Sequence, residues 1–320
     1  MKHFLNTADW SRPELQAMID EARRLKASPH GDALKGKTVA LLFLNNSLRT
    51  RTSFDVGARQ LGGHAVVLSP SGGMWPLEFE DGVVMDGEAE EHVKEAAKVL
   101  SRFVHGIVIR TYGQDQVDGL AEHGSIPVIN ALTDLYHPCQ GLADLLTIKE
   151  KFGDLKGKKL VYVGAGNNVA HTLLLAGPLS GMDVTCLSPK ELPPNAFVVD
   201  AARRNAAEAG TKVVVDDNIE RAIEGADVIY GDTWVSMGEE EEAKRLLQIL
   251  DGFQVNDEFM AKTGKKESIF MHCLPAHRGQ EVTEDIIDGD HSIVFDQAEN
   301  RLHVQKAILI YLLEKNGSES

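Results

Sequence analysis

Residues 34–47 read LKGKTVALLFLNNS, and residues 155–168 read LKGKKLVYVGAGNN. Both begin Leu-Lys-Gly-Lys, enter an apolar run rich in β-branched and aliphatic residues, and stop at an Asn-rich polar turn. Beyond each turn comes a helical pattern, then a second apolar run that ends in Ser-Pro: HAVVLSP at 64–70 and DVTCLSP at 183–189. Short continuous apolar runs bounded by turn residues are the pattern of strands buried on both faces. Strands that alternate with helices build a parallel sheet with helices on its faces. The repeat therefore predicts an α/β chain of two similar three-layer domains. Their expected extents are 1–148 plus 299–320, and 149–298. CQGLADLLTIKEKFG (139–153) is the expected connecting helix. AENRLHVQKAILIYLLEKN (298–316) is expected to return to the first domain.

A chain of 320 residues is long enough for two such cores. Its formal charge of −15 excludes an extended nucleic-acid or anionic-membrane surface, since both need a positive field. Any phosphate must be gripped locally. Cys139, Cys186 and Cys273 make no disulfide framework, and no pair has metal-ligand spacing. The opening MKHFLNTADW lacks the apolar core of a secretion signal, and no apolar run reaches the roughly eighteen residues of a membrane span. These features carry the expectation of a cytoplasmic protein without membrane or nucleic-acid partner, metal or organic cofactor.

Polar clusters follow the apolar runs. NNSLRTRTSF (45–54) places Ser47, Leu48, Arg49 and Thr50 at a strand-to-helix turn. Free backbone N–H groups and the helix dipole gather there, two hydroxyls are at hand, and Arg49 can chelate phosphate oxygens. The alternative is an ordinary helix cap with solvated arginines. Arg110 closes the strand VIR, and His137 and Gln140 precede the connecting helix. An arginine, a neutral imidazole and a carboxamide suit one small planar group; helix capping is the plainer reading of His137. VGAGNNVAH (163–171) has G-x-G but Val169 where a third glycine belongs, which makes it a poor dinucleotide fingerprint. Asn168 sits in that turn. Asp232 follows the strand ADVIY and can receive an ammonium, with Ser236 and Met237 beyond it. Cys273 and Leu274 end another strand, either merely buried or lining a cleft, and Arg301 opens the last helix.

In order, SLRTR, HPCQ, DTWVSMG, HCLP and AENR resemble the motifs of the aspartate/ornithine carbamoyltransferases, the ornithine enzymes in particular. The likeness covers nearly the whole chain. It implies a carbamoyl phosphate domain, an ornithine domain and a homotrimer with active sites near subunit boundaries. By this resemblance Ser47, Leu48 (through its backbone), Arg49 and Thr50 bind the phosphate. Arg110, His137 and Thr50 hold the carbamoyl oxygen. Gln140 and the carbonyls of Cys273 and Leu274 take the carbamoyl NH₂, with Arg301 close by. Asn168, Asp232, Ser236 and Met237 grip the amino-acid end of ornithine. Arg110, His137, Cys273 and Asp232 are the expected catalytic set.

Two stretches depart from the usual ornithine pattern. Leu48 stands where Thr is commoner. MWPLEF (74–79) and VMDGEAEEH (84–92) resemble instead the N-acetylornithine carbamoyltransferases. By that likeness Trp75 reaches a neighbouring subunit's carbamoyl phosphate, and Glu90 lies near the position that separates acetyl from succinyl substrates. The second half handles the α-amino group, and Asp232 there favours a free ammonium. The expected reaction is carbamoyl transfer to L-ornithine. The alternatives are the same transfer to N-acetyl- or N-succinylornithine and, more remotely, a nicotinamide-dependent dehydrogenase or a non-catalytic relative.

Overall fold

The computed structural model describes residues 1–69, 76–85, 87, 89–235 and 240–315. The chain divides into two compact units, 1–142 with 300–320, and 143–299. The first boundary lies earlier than the expected 148/149 because it falls inside a continuous helix. Gly141 stands beside it, but α5 runs through that glycine unbroken, so the residue gives no sign of a border.

The first unit begins with α1 (Arg12–Ala27), then β1 (Thr38–Phe43), α2 (Leu48–Gln60), β2 (His64–Leu68), and the two-residue strands β3 (Leu77–Glu78) and β4 (Glu91–His92). It continues through α3 (Val93–Phe103), β5 (Gly106–Arg110), α4 (Gln114–His123), β6 (Val128–Leu132) and the start of α5 (Pro138–Phe152). Its main sheet is parallel, in the order β2-β1-β5-β6. Successive residues of a strand point to opposite faces. In β1, β5 and β6 nearly every residue is buried, so both faces of the sheet are covered, whereas the edge strand β2 keeps His64 and Val66 exposed. One core lies against Ala40, Leu42, Ile107, Ile109 and Val128, capped by Val93, Ala97, Val117 and Leu120 of α3 and α4.

The second unit holds the rest of α5, then β7 (Lys159–Val163), α6 (Asn168–Leu179), β8 (Asp183–Leu187), α7 (Ala196–Ala209), β9 (Val213–Asp216), α8 (Ile219–Ile223) and β10 (Val228–Gly231). After these come α9 (Ala243–Leu250), α10 (Asp257–Ala261), β11 (Ile269–His272), α11 (Glu284–Ile287) and the start of α12 (Val294–Lys315). Its five-stranded parallel sheet runs β11-β10-β7-β8-β9. Val161, Val163, Ile229 and Phe270 of β7, β10 and β11 pack with Ile223, Phe259 and Ile286. Among the described residues no helix is long and apolar enough to cross a membrane.

The later part of α12 returns to the first unit. Lys306 is fully buried and donates to Leu25 O, Pro29 O and Gln60 Oε1. Tyr311 meets the Trp10 ring edge-on at 5.1 Å and donates its hydroxyl to Glu14. Glu14 also closes a capping box with Ser11 at the start of α1, where Pro13 suits the first turn.

Burial opposes ionisation of Glu14, but Lys2, the Ser11 backbone and hydroxyl, and Tyr311 outweigh it, and its carboxyl falls from 4.5 to about 2. The folded value is depressed, so this stabilisation is complete above the unfolded value near 4.5 and disappears as pH falls towards 2. Glu14→Gln should therefore cost about 1–2 kcal/mol in urea unfolding at pH 7 and much less near pH 3.

Candidate active site

In the first unit Phe43 is in register with Arg110, and Arg110 with Leu132, so β1, β5 and β6 release their chains side by side. The 44–50 turn, Arg110 and the 133–137 loop thus share the carboxyl edge of the sheet, where ligands of parallel sheets gather. Ser47 caps α2 and accepts from Thr50 N at 3.2 Å. The capping reading of NNSLRTRTSF is thus real, and the next backbone N–H groups still start the helix. Leu48 is 79% exposed and Arg49 half-buried, while Thr50 is buried.

The loop to His137 is braced from below. Thr133 N donates to Tyr136 O, Tyr136 N returns to Thr133 Oγ1, and the Thr133 hydroxyl reaches Gln114 Oε1. His137 is then buried at the head of α5, its carbonyl accepting from the N–H groups of Gln140 and Gly141. Arg301, buried in α12, donates Nη1 to Gln140 Oε1 at 2.5 Å and Nη2 to Thr50 Oγ1 at 2.9 Å. Four of the sequence candidates, Thr50, His137, Gln140 and Arg301, meet in one cluster. Burial, then the charges of Arg301, Arg110 and Arg49, hold the His137 imidazole well below its ordinary 6.5. A neutral histidine among three guanidinium groups is a site that wants an anion and offers an N–H donor. Neighbouring Cys139 lies buried in α5. Its thiol is pushed up to about 12 by burial, against the pull of Arg301, and donates to Asn130 O.

In the second unit the register pairs Gly231 with both Val163 and His272. The residues that leave β7, β10 and β11 therefore emerge together. Asp232 is 2% exposed and accepts four bonds. Thr233 N and Cys273 Sγ reach Oδ1 at 2.8 and 3.0 Å, and Asn167 Nδ2 and the Tyr162 hydroxyl reach Oδ2 at 2.7 and 3.2 Å. Among the described residues no Lys, Arg or His forms an ion pair with it. Asn167 caps α6, its Oδ1 accepting from Val169 N and Ala170 N. Asn168 is the first residue of that helix and is half-buried. Leu274 holds a left-handed φ of 57°, its N–H bound to His272 Nδ1 at 2.9 Å. His272 Nε2 lies 3.3 Å from the buried Glu281 carboxylate.

Gly166 of GAGNN serves packing here. A Cβ on Gly166 would stand 2.0 Å from Pro194 N, so this position admits glycine alone. Glu90 is exposed and pairs its backbone N–H with Pro76 O. Trp75, Ser236 and Met237 lie outside the described residues. Tyr162, Thr233, His272 and Glu281 joined the site without being singled out beforehand. The one available signal for Tyr162 was a hydroxyl in the otherwise apolar run LVYV. Among the described residues no group of three or more His, Cys, Asp or Glu is placed to hold a metal ion.

Comparison with known proteins gives the same picture. The family described as "Aspartate/ornithine carbamoyltransferase, carbamoyl-P binding domain" matches residues 2–150, and its "Asp/Orn binding domain" matches 156–312. The chain is similar to the ornithine carbamoyltransferase of Halalkalibacterium halodurans, 46% identical over 98% of this chain and 95% of that one. It is similar to the solved ornithine carbamoyltransferase from Pyrococcus furiosus at 42% identity, with a TM-score of 0.90 over 98% and 97% of the two chains. It is as similar to a solved acetylornithine transcarbamylase in complex with acetylcitrulline: 42% identity, TM-score 0.91, 98% and 99% covered.

A histidine kept neutral by its fold charges only on unfolding, so below about pH 6.5 the unfolded chain binds the extra proton and stability drops with pH. In ¹⁵N-detected spectra the His137 imidazole should stay neutral across the pH range in which an ordinary exposed histidine titrates. Protonation of His137 near 6.5 would contradict the described environment.

Proposed function

The chain belongs to the aspartate/ornithine carbamoyltransferase family, and on that footing we propose that it transfers the carbamoyl group of carbamoyl phosphate to the δ-amino group of L-ornithine, giving citrulline and phosphate. The observation that carries the choice of a free amino acid is Asp232. Among the described residues this buried carboxylate has four hydrogen-bond donors but no cationic partner, so its countercharge is still to come. An α-ammonium supplies it. An acylated nitrogen is neutral and would leave a buried charge unmatched, at a cost of a few kcal/mol.

In this reading the start of α2 receives the phosphate through backbone N–H groups from Leu48 onwards, Ser47, Thr50 and the Arg49 guanidinium. The neutral δ-amine attacks the carbamoyl carbon. Negative charge then grows on the carbonyl oxygen, and Arg110, Thr50 and the N–H of neutral His137 stabilise it. His137 donates this bond without first binding a proton, which its three arginine neighbours would oppose. The phosphate leaves towards Arg49 and the helix start. Gln140, its oxygen bonded to Arg301 Nη1, is assigned to the carbamoyl NH₂. In the second unit Asp232 and Asn168 receive the amino-acid end, together with Ser236 and Met237. The δ-ammonium sheds its proton before the attack, and Cys273 donates its thiol hydrogen to Asp232 Oδ1. Placement in arginine metabolism, a homotrimer and a cytoplasmic setting belong to the same reading and rest on the family resemblance.

A second reading, transfer to N-acetylornithine, is favoured by the 74–79 and 84–92 motifs and by the similarity to the acetylornithine transcarbamylase. Colorimetric ureido-product assays with L-ornithine, N-acetyl-L-ornithine and N-succinyl-L-ornithine separate the two. Free ornithine should exceed either acylated form in kcat/KM by about a hundredfold or more, equivalent to roughly 3 kcal/mol. Turnover confined to an acylated form would reverse the assignment. In the same assay Arg49→Ala should lower kcat/KM for carbamoyl phosphate by about a hundredfold. Unchanged transfer would remove Arg49 from the phosphate site.

A further inference from the structure

We propose that Tyr162 is a positioning residue for the amino-acid acceptor: its hydroxyl fixes the carboxylate of Asp232 that meets the acceptor's α-ammonium. The inference rests on the function proposed above and adds to it a residue buried inside β7, a strand that otherwise carries the core. Tyr162 is 1% exposed. Its hydroxyl lies 3.0 Å from Ala165 O, 3.0 Å from Asn167 Oδ1 and 3.2 Å from Asp232 Oδ2. All three neighbours are acceptors, and a phenol has one proton.

The orientation of Asn167 is not free to relieve this competition. Its oxygen is committed to the N–H groups of Val169 and Ala170 at the start of α6, and its Nδ2 to Asp232. Among the three acceptors the carboxylate is the charged one, and charge-assisted bonds are about twice as strong as neutral ones. The proton therefore goes to Asp232. It is also permanently available. Burial, then the charges of Asp232, Cys186 and Cys273, hold the phenol well above its usual 10.

The consequence is geometric. Tyr162 and Asn167 hold Oδ2, while Thr233 N and Cys273 Sγ hold Oδ1. Two donors on each oxygen set both the position and the plane of the carboxylate. Without the phenol, Oδ2 keeps one donor and the group can turn about its own bond. The ring itself would stay in place, because it stacks on Tyr230 with centroids 6.1 Å apart and planes inclined by 29°. Tyr162→Phe thus removes the hydroxyl and little else.

The experiment compares wild-type and Tyr162→Phe full-length enzyme in steady-state kinetics. The readouts are KM for L-ornithine, KM for carbamoyl phosphate, kcat, and Ki for L-norvaline, which has the α-ammonium but no δ-amine. We expect KM for ornithine and Ki for norvaline to rise together by about tenfold or more, the loss typical of one hydrogen bond to a charged group. KM for carbamoyl phosphate should stay at its wild-type value. A packing role would instead move both substrates together. Adding Tyr162→Phe to Asp232→Asn should cause no further loss of norvaline binding, since the hydroxyl acts through that carboxylate; this cycle also decides the matter where the single variant is poorly folded. Ornithine KM and norvaline Ki within twofold of wild type, a uniform loss on both substrates, or additive losses in the double variant would each overturn the proposal. Wild-type enzyme that ignores free ornithine would overturn the parent reading as well, and that result appears in the control before any variant is compared.

Discussion

Arg301 donates from α12 to Thr50 at the head of α2 and to Gln140 at the head of α5, and the polar cluster of the first unit depends on this buried fork. A guanidinium can span two helix starts because its donors leave one planar group in fixed directions. The contact joins residues 251 and 161 positions apart in the chain. It also sets the electrostatics. After burial itself, the Arg301 charge is the strongest influence that keeps His137 neutral. The same fork thus aligns the carboxamide, meets the threonine hydroxyl and adds its charge to the burial that keeps the histidine neutral.

The two units present opposite signs of charge in matching places. At the carboxyl edge of the first sheet, three arginines surround an uncharged imidazole. At the carboxyl edge of the second, one aspartate lies buried among neutral donors. A small dianion suits the former and an ammonium the latter. The overall charge of −15 predicts neither, because charges on an exposed surface are screened within about 10 Å while buried ones act at full strength on their neighbours. An acidic protein can therefore hold a phosphate, provided that the positive groups are few, buried and aimed.

Chain duplication was plain from Leu-Lys-Gly-Lys and the Ser-Pro endings, and the parallel sheets followed from runs that were apolar on both faces. Helix starts were readable for the same local reason. Ser47 and Asn167 are cap residues whose side chains accept from backbone N–H groups two or three positions on. The 142/143 boundary was not readable, because a helix that runs through a domain border keeps one uninterrupted pattern. Nor did the G-x-G spacing announce its use. Gly166 is required by the approach of Pro194, a neighbour 28 positions away in the chain.

What the sequence determined by itself was therefore local and periodic: strands, helix starts, the duplicated plan, and the residue types able to bind an anion or a cation. Which of those residues meet was decided only by tertiary structure. Strand register brings Gly231 level with Val163 and His272, and this alone places Asp232 beside Asn167, Tyr162 and Cys273. The return of α12 brings Arg301 to Thr50 and Gln140. Hydrogen bonds and charge effects depend on distances of a few ångströms, and those distances exist only once sheet order and helix packing have closed the long separations along the chain.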